Sequence, residues 1–179
     1  MTVKTVRQMK TMARLGAILN NPRYQEYYAA TVKAEATRIY CQHNAQHYAD
    51  VARCAYIMWL NGEVACPELE PYHSDTVREI IYTAAFLHDI GRFMEYADKS
   101  LDHALESEKL SRPFLQEAGF SRAEAELILK AIKNHRQANT SGFDLLIYRA
   151  DKESRLCSLC PVRETCKKFQ DKAVPDISI

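Results

Sequence analysis

The chain has 179 residues, long enough for one domain with a sizeable hydrophobic core. Apolar residues make up 47% and charged residues 26%, ordinary values for a soluble globular protein. The formal net charge of +1 gives no excess that would argue for binding nucleic acid or an anionic membrane. Five glycines and six prolines are few, and most fall between predicted helices, which favours an all-α fold.

The N-terminal residues carry charge early and contain no apolar run of signal-peptide length. No stretch approaches the roughly 20 apolar residues that a membrane span needs. We therefore expect a cytoplasmic protein with no membrane segment. In that compartment the six cysteines should stay reduced or bind metal instead of forming disulfides.

The spacing of apolar residues predicts a series of amphipathic helices. They cover about residues 3–19, 22–40, 44–60, 74–90, 101–118, 121–135 and 142–154. Asn21-Pro22 is a start signal for the second helix, and Ser121 with Glu124 predicts a capping box. Loops are expected over residues 64–72 and 91–99.

These elements predict one helical domain over residues 1–155, with a core of about 40–155 preceded by N-terminal helices over 1–39. Residues 156–179 are expected to form a cysteine-containing tail packed on the same domain. A homodimer formed through the N-terminal helix is left open by the sequence.

Six side chains able to bind metal fall on five predicted helices. They are His47, His88, Asp89, His103, His135 and Asp151. All of them except Asp89, which is adjacent to His88, continue an apolar stripe at helical spacing and should point into the core. A single buried histidine is more often a hydrogen-bonded core residue. Five helices that bury such groups in one core would leave several unsatisfied without a cation, so the sequence predicts a metal site.

The order and context of four of these groups resemble the HD domain superfamily of metal-dependent phosphohydrolases. That family has a His, then an adjacent His-Asp, then a distant Asp, each on a separate helix. Here His47 is followed by Tyr-Ala-Asp-Val-Ala, His88-Asp89 stands in Leu-His-Asp-Ile-Gly-Arg, and Asp151 stands in Tyr-Arg-Ala-Asp-Lys. The resemblance spans about residues 40–155 and implies a compact multi-helix bundle.

The resemblance also implies how the donors are shared. Members with two ions have further histidines between the doublet and the last Asp, and His103 and His135 occupy those places. Asp89 would then bridge the ions. One would also be held by His47, His88 and Asp151, and the other by His103 and His135. The competing interpretation has one ion, with His103 and His135 binding phosphate or shuttling protons. These donors suit Fe, Mn, Mg, Co, Ni or Zn and select none of them.

Two more histidines need an assignment. His43 lies one helical turn before His47, so spacing alone does not exclude it as a ligand. Only the following Val-Ala context selects His47, and we expect His43 to support the site or the structure. His73, just before a predicted helix, is expected to be exposed or next to a cap.

The resemblance implies hydrolysis of a nucleotide or another small phosphorylated compound by a metal-activated water. Arg92, Arg136 and Lys152 directly follow predicted donors and could stabilise negative charge on phosphorus. We predict Asp89, Arg92 and Lys152 as catalytic, and Arg92, Arg136 and Lys152 as substrate-binding. Two alternatives stay open, an HD-type di-iron oxygenase and a non-catalytic HD domain that binds a ligand and signals.

Cys157, Cys160 and Cys166 form a second chemical motif. Cys-x-x-Cys is a chelating pair, and a third cysteine six residues later could close on the same ion. A fourth ligand would be Cys66, Cys41, Cys54 or a water. We predict a structural zinc ion or an iron–sulfur cluster, with zinc favoured because nothing indicates redox chemistry. The tail is similar to those that follow the last Asp in some bacterial HD proteins. Three unconnected thiols, or a disulfide formed on purification, are the alternatives.

Overall fold

The computed structural model describes residues 11–170. Its α-helices are α1 (Ala13–Leu19), α2 (Pro22–Ala34), α3 (Ala45–Leu60), α4 (Ser74–Leu87), α5 (Arg92–Ala97), α6 (His103–Glu117), α7 (Arg122–Asn134), α8 (Gly142–Glu153) and α9 (Lys167–Gln170). Short 3-10 helices cover Pro67–Leu69, Cys157–Leu159 and Arg163–Thr165. No strand occurs between residues 11 and 170, which confirms the all-α prediction for that range.

The core lies among α3, α4, α7 and α8, and α6 packs against α7. Each helix turns one apolar stripe inward, as its sequence period predicts. Val51 on α3, Ile80 on α4, Ile132 on α7 and Phe143 on α8 are fully buried. Burying a Val, Ile or Phe side chain stabilises the fold by about 1.5–3 kcal/mol relative to leaving it in water. The hydrophobic stripes therefore fix how the helices, and the polar groups on them, face one another.

Several helix boundaries follow their predicted signals. The Asn21 side chain accepts a hydrogen bond from the backbone N–H of Arg23, and Pro22 is the first helical residue. Ser121 and Glu124 form the capping box at the start of α7. These caps satisfy backbone N–H groups that have no partner within the helix.

Two predicted boundaries are wrong. The helix expected over 22–40 ends at Ala34, because the Glu35 side chain turns inward to accept hydrogen bonds instead of continuing a surface helix. The loop expected over 91–99 contains α5. That helix depends on tertiary contacts, among them the stacking of Phe93 on Tyr27 with ring centroids 5.6 Å apart.

The predicted first helix is present only from Ala13, and residues 3–10 of that prediction lie outside the described residues. In the part of the tail that the structure describes, the Tyr40 hydroxyl donates a 3.1 Å hydrogen bond to the carbonyl of Thr165. Within residues 11–170, no helix combines the length and the apolar character that a bilayer crossing requires.

Candidate metal centre

The six predicted donors lie in one cluster, and each is at most 9% exposed. All stand at or near helix ends. His47 is in the first turn of α3 and His103 begins α6, whereas Asp151 is in the last turn of α8. His88 follows α4 directly, with Asp89 next to it, and His135 follows α7. The bundle therefore brings these ends together although the residues are far apart in sequence.

One group of donors consists of His47, His88 and Asp151, whose ligand atoms all lie within 4.8 Å of one another. Nε2 of His47 is 3.3 Å from Oδ1 of Asp151, and Nε2 of His88 is 3.8 Å from the same oxygen. Donor atoms held about 2.1 Å from an octahedral ion would be about 3–4.2 Å apart. These separations fit one shared cation.

A second group consists of Asp89, His103 and His135. Oδ1 of Asp89 is 3.1 Å from Nε2 of His103 and 3.6 Å from Nε2 of His135. The other oxygen, Oδ2, is 3.3 Å from Nε2 of His88. Asp89 thus directs one oxygen to each group, which is the arrangement that a carboxylate bridging two ions requires.

Hydrogen bonds on the far side of the rings set the direction of three imidazoles. Nδ1 of His88 donates to the carbonyl of Ala85 at 2.7 Å, and Nδ1 of His135 donates to the carbonyl of Ile132 at 2.6 Å. Each carbonyl is three residues earlier in the chain. With Nδ1 protonated, the lone pair of each Nε2 faces the cluster.

His103 is oriented in the same way by a side chain instead of a carbonyl. Its Nδ1 is 2.7 Å from Oε2 of Glu95, and its Nε2 accepts a 3.0 Å hydrogen bond from NH1 of Arg92. Both Glu95 and Arg92 lie on α5, in the segment that the sequence analysis predicts as a loop. The role of Glu95 was therefore missed.

His43 lies closer to the centre than the sequence analysis expected. It forms a third group of donors with His47 and Asp89, and its Nε2 is 3.5 Å from Oδ2 of Asp89. Its Nδ1 is 2.6 Å from Oε1 of Glu35, which is itself 2% exposed. By contrast, the ring of His73 caps α4 and is 64% exposed, as expected.

The two carboxylates give the cluster its negative charge. Burial lowers the pKa of His47 to about 4. Burial also opposes the charged form of His88, but Asp89 and Asp151 outweigh it and raise the pKa of His88 to about 9. Although burial disfavours both carboxylates, the surrounding histidines hold the pKa of Asp89 and of Asp151 well below their usual range. Two buried, ionised carboxylates among imidazoles form a site that attracts a cation.

A divalent metal ion fits this donor set. Nε2 of His47 and Nε2 of His88 are buried and have no hydrogen-bond partner. Unpaired buried nitrogens are costly in a folded protein, and a metal ion is a partner that would satisfy both. Nitrogen and oxygen donors of this kind suit several divalent metals, so the set does not identify which one binds.

Gly91 allows α6 to approach the turn that carries His88 and Asp89. A Cβ atom at Gly91 would lie 2.5 Å from the backbone nitrogen of Ser107 and 2.8 Å from the carbonyl carbon of Glu106. The backbone N–H of Gly91 also donates to the Ser107 hydroxyl at 2.9 Å. This close packing holds the start of α6, and so His103, against Asp89.

The donors open into a cavity of about 390 Å³ whose wall is rich in cations. The cationic residues lining it are Arg38, Arg92, Arg136, Lys152, Arg155, Lys167 and Lys168. The predicted residues Arg92, Arg136 and Lys152 all lie in this wall. Arg155 was missed, although it stands one helical turn after Asp151 and donates to Oδ1 of Asp151 at 2.8 Å.

The cysteines fall into two environments. Cys54 and Cys66 are buried in the hydrophobic core. Cys41 and the predicted set Cys157, Cys160 and Cys166 are half-buried, and Cys41 and Cys166 line the cavity just described. The tail thus forms part of the cavity wall.

Comparisons with known proteins agree with this geometry. The family model of the HD domain matches residues 44–156 of the chain, a range that contains all six predicted donors. An uncharacterized protein of Clostridium beijerinckii is 35% identical over 161 residues, which cover 90% of this chain and 96% of that protein. No solved structure gives a significant match.

Proposed function

Because the chain belongs to the HD domain family, we propose that it is a metal-dependent hydrolase of a small phosphorylated compound, with nucleotides as the expected class. The observation that carries the proposal is a cation-rich cavity opening directly onto a buried cluster of histidines and carboxylates. Such a wall attracts an anionic group to the donors.

In this proposal His47, His88, Asp89 and Asp151 would hold one ion, and Asp89, His103 and His135 would hold a second. A divalent ion bound there would supply a water of lowered pKa and a Lewis acid for a phosphoryl oxygen. The ring hydrogen bonds to backbone carbonyls and to Glu95 keep the donors in place, so little reorganisation is needed when substrate arrives.

Arg92 lies in the cavity wall beside Asp89 and His103, and in this proposal it contacts the phosphoryl group. Burial opposes its charge, but Asp89, Tyr96 and Glu35 raise the pKa of Arg92, so it stays protonated. Its Nε donates to Oε1 of Glu35 at 3.3 Å, which holds the guanidinium beside the cluster. Charge that builds on phosphorus would therefore meet a fixed, permanently positive group.

Arg136 and Lys152 serve binding in this proposal. Lys152 is next to Asp151 and pairs with it, and Arg136 is 45% exposed at the cavity wall. A volume of about 390 Å³ is near the small end of ligand pockets, about 300–1,000 Å³. The space suits a mononucleotide or a sugar phosphate better than a nucleic-acid strand.

The same donors would also suit a di-iron oxygenase, so the test measures both reactions. We expect the full-length protein loaded with Mn²⁺ or Fe²⁺ to release phosphate from nucleoside monophosphates or p-nitrophenyl phosphate without consuming O₂. Asp89→Asn should abolish this release, whereas His73→Gln, at an exposed histidine, should retain it. Metal-loaded protein that consumes O₂ with an organic substrate, or that releases no phosphate from either probe, would overturn the proposal.

A further inference from the structure

The structure assigns a second metal site. We propose that Cys41, Cys157, Cys160 and Cys166 bind one zinc ion as four thiolates and so fasten the tail to the segment that follows α2. This site is separate from the histidine and carboxylate centre and does not depend on the function proposed for that centre.

Three consecutive turns gather the tail cysteines. The backbone N–H of Cys160 donates to the carbonyl of Cys157 at 3.1 Å, and that of Arg163 donates to Cys160 at 3.2 Å. The N–H of Cys166 then donates to Arg163 at 3.0 Å. A Cys-x-x-Cys pair on one tight turn is the usual local half of a structural zinc site, which needs further ligands from elsewhere in the chain.

Cys41 is the cysteine that the fold brings to these turns. The neighbouring residue Tyr40 donates its hydroxyl hydrogen to the Thr165 carbonyl at 3.1 Å, next to Cys166. Cys41 and Cys166 line the same cavity. Burial raises the pKa of the Cys157 thiol, and electrostatic interactions with Cys41, Cys160 and Cys166 raise it further. These electrostatic interactions indicate that the other three cysteines lie in the neighbourhood of Cys157.

Cys54 and Cys66 are not available as the fourth ligand. Cys54 is 1% exposed on the core side of α3, and Cys66 donates its thiol hydrogen to the carbonyl of Val64 at 3.4 Å. Burial raises the pKa of Cys54 to about 11 and that of Cys66 to about 12, which keeps both as neutral thiols. The charged groups that influence the pKa of Cys54 are Glu153, Glu63 and Arg149, and the group that influences the pKa of Cys66 is Glu68.

The charge of the site can be balanced locally. Four thiols that bind zinc lose four protons to solvent, which leaves a net charge of −2 on the complex. Arg155 and Lys168 both interact electrostatically with Cys41, and Arg38 donates from Nε to the Cys41 carbonyl at 2.8 Å. These cations offset the negative charge of the complex and favour the thiolate form of the cysteines, which is the form that binds zinc.

Binding of the ion would tighten the tail. Among the described residues, the donor groups whose atoms all lie within 4.8 Å of one another are at the histidine centre, not at the thiols. Zinc–sulfur bonds of about 2.3 Å require neighbouring thiolates about 3.8 Å apart. The turns at Cys157–Leu159 and Arg163–Thr165 therefore close on the ion and become more protected from hydrogen exchange.

The direct test is metal content and thiol mapping of the full-length protein purified without chelator. We expect one zinc per chain that survives Asp89→Asn and is lost in Cys41→Ser and in Cys160→Ser. Cys66→Ser, which can retain the hydrogen bond to Val64, should keep it. Replacing zinc with Co²⁺ should give an intense thiolate-to-metal absorption band, which nitrogen and oxygen ligands do not produce.

Thiol mapping keeps the test independent of whether the variants fold. In the wild-type chain, zinc removal should expose four cysteines to iodoacetamide, identified by peptide mass, while Cys54 and Cys66 stay unreactive. Full zinc content in Cys41→Ser would overturn the assignment, as would a disulfide among the four cysteines in freshly purified protein. Iron with equimolar acid-labile sulfide in place of zinc would overturn the identity of the metal.

Discussion

Replacing Gly91 with alanine tests the contact that positions α6 against the His88-Asp89 turn. A Cβ atom at this position would lie 2.5 Å from the Ser107 backbone nitrogen, whereas ordinary contact begins near 3.4 Å. The obstacle is the backbone of α6 at Glu106 and Ser107 and the Cβ atom of Glu106, so no flexible side-chain end can move to relieve it. The turn and α6 must therefore separate by about 0.9 Å.

The expected cost follows from overpacking of a closely packed region, which is about 1–3 kcal/mol. For a chain of this length each kcal/mol lowers the Tm by about 2–4 °C, so Gly91→Ala should lower it by about 2–12 °C. The same movement carries His103 away from Asp89, since both depend on this contact. Affinity for the ion held by His103 and His135 should fall at least about tenfold.

The assay is urea unfolding of metal-free protein, followed by Mn²⁺ titration of the folded variant. Gly16→Ala is the matched control, because nothing lies within 4 Å of its Cβ position and Gly16 is inside α1. That change should be neutral or should stabilise the protein by up to about 1 kcal/mol. If Gly91→Ala unfolds at the same urea concentration as wild type and binds Mn²⁺ equally well, the packing argument is wrong.

Three further predictions concern stability. Burial opposes ionisation of Glu124, but hydrogen bonds from Ser121 and the ion pair with Arg14 lower its pKa, so Glu124→Gln should cost about 1 kcal/mol at pH 7. Because the pKa of Glu124 is lower in the folded protein than in the unfolded chain, that stabilisation is complete above about pH 4.3 and is lost as the pH falls through the folded-state pKa. A stability difference between wild type and Glu124→Gln that stays constant from pH 7 to pH 3 would contradict this pKa shift. Phe143→Ala removes a fully buried ring and should cost about 3–5 kcal/mol in urea unfolding, and a loss below 1 kcal/mol would refute its core position. Chelator treatment should lower the Tm and Mn²⁺ should restore it, since an ion that binds only the folded state stabilises that state; an unchanged Tm would argue against a bound ion.

Much of the fold was predictable because the helices are strongly amphipathic. The stripe that ends in Asp151 and the stripe that contains His47 both follow helical spacing, and burial of the apolar members fixes the orientation of the polar ones. Start signals such as Asn21-Pro22 act locally and were read correctly. By contrast, α5 was not predicted, because a helix of six residues is too short to show a helical repeat of apolar residues. Its helical form depends on packing against α2 and α6.

The groups that orient the donors were less predictable. Glu35 and Glu95 reach the centre from a helix end and from the unpredicted α5, so no sequence period connects them with the histidines they contact. The sequence analysis predicts His47 and not His43 as a metal ligand, because the family context selects His47, although the spacing allows both. Cys41 was one of several candidates, and the approach of the tail to Tyr40, together with the burial of Cys54 and Cys66 in the core, distinguishes it from them.

The central claim is that the histidines and carboxylates at the helix ends hold divalent ions. The most direct measurement is anomalous diffraction from crystals of the full-length protein grown with saturating Mn²⁺. We expect two peaks, one within ligand distance of His47, His88 and Asp151 and one within ligand distance of His103 and His135, with Asp89 contacting both. A map with no manganese at these side chains, or with manganese only elsewhere on the protein, would contradict the claim.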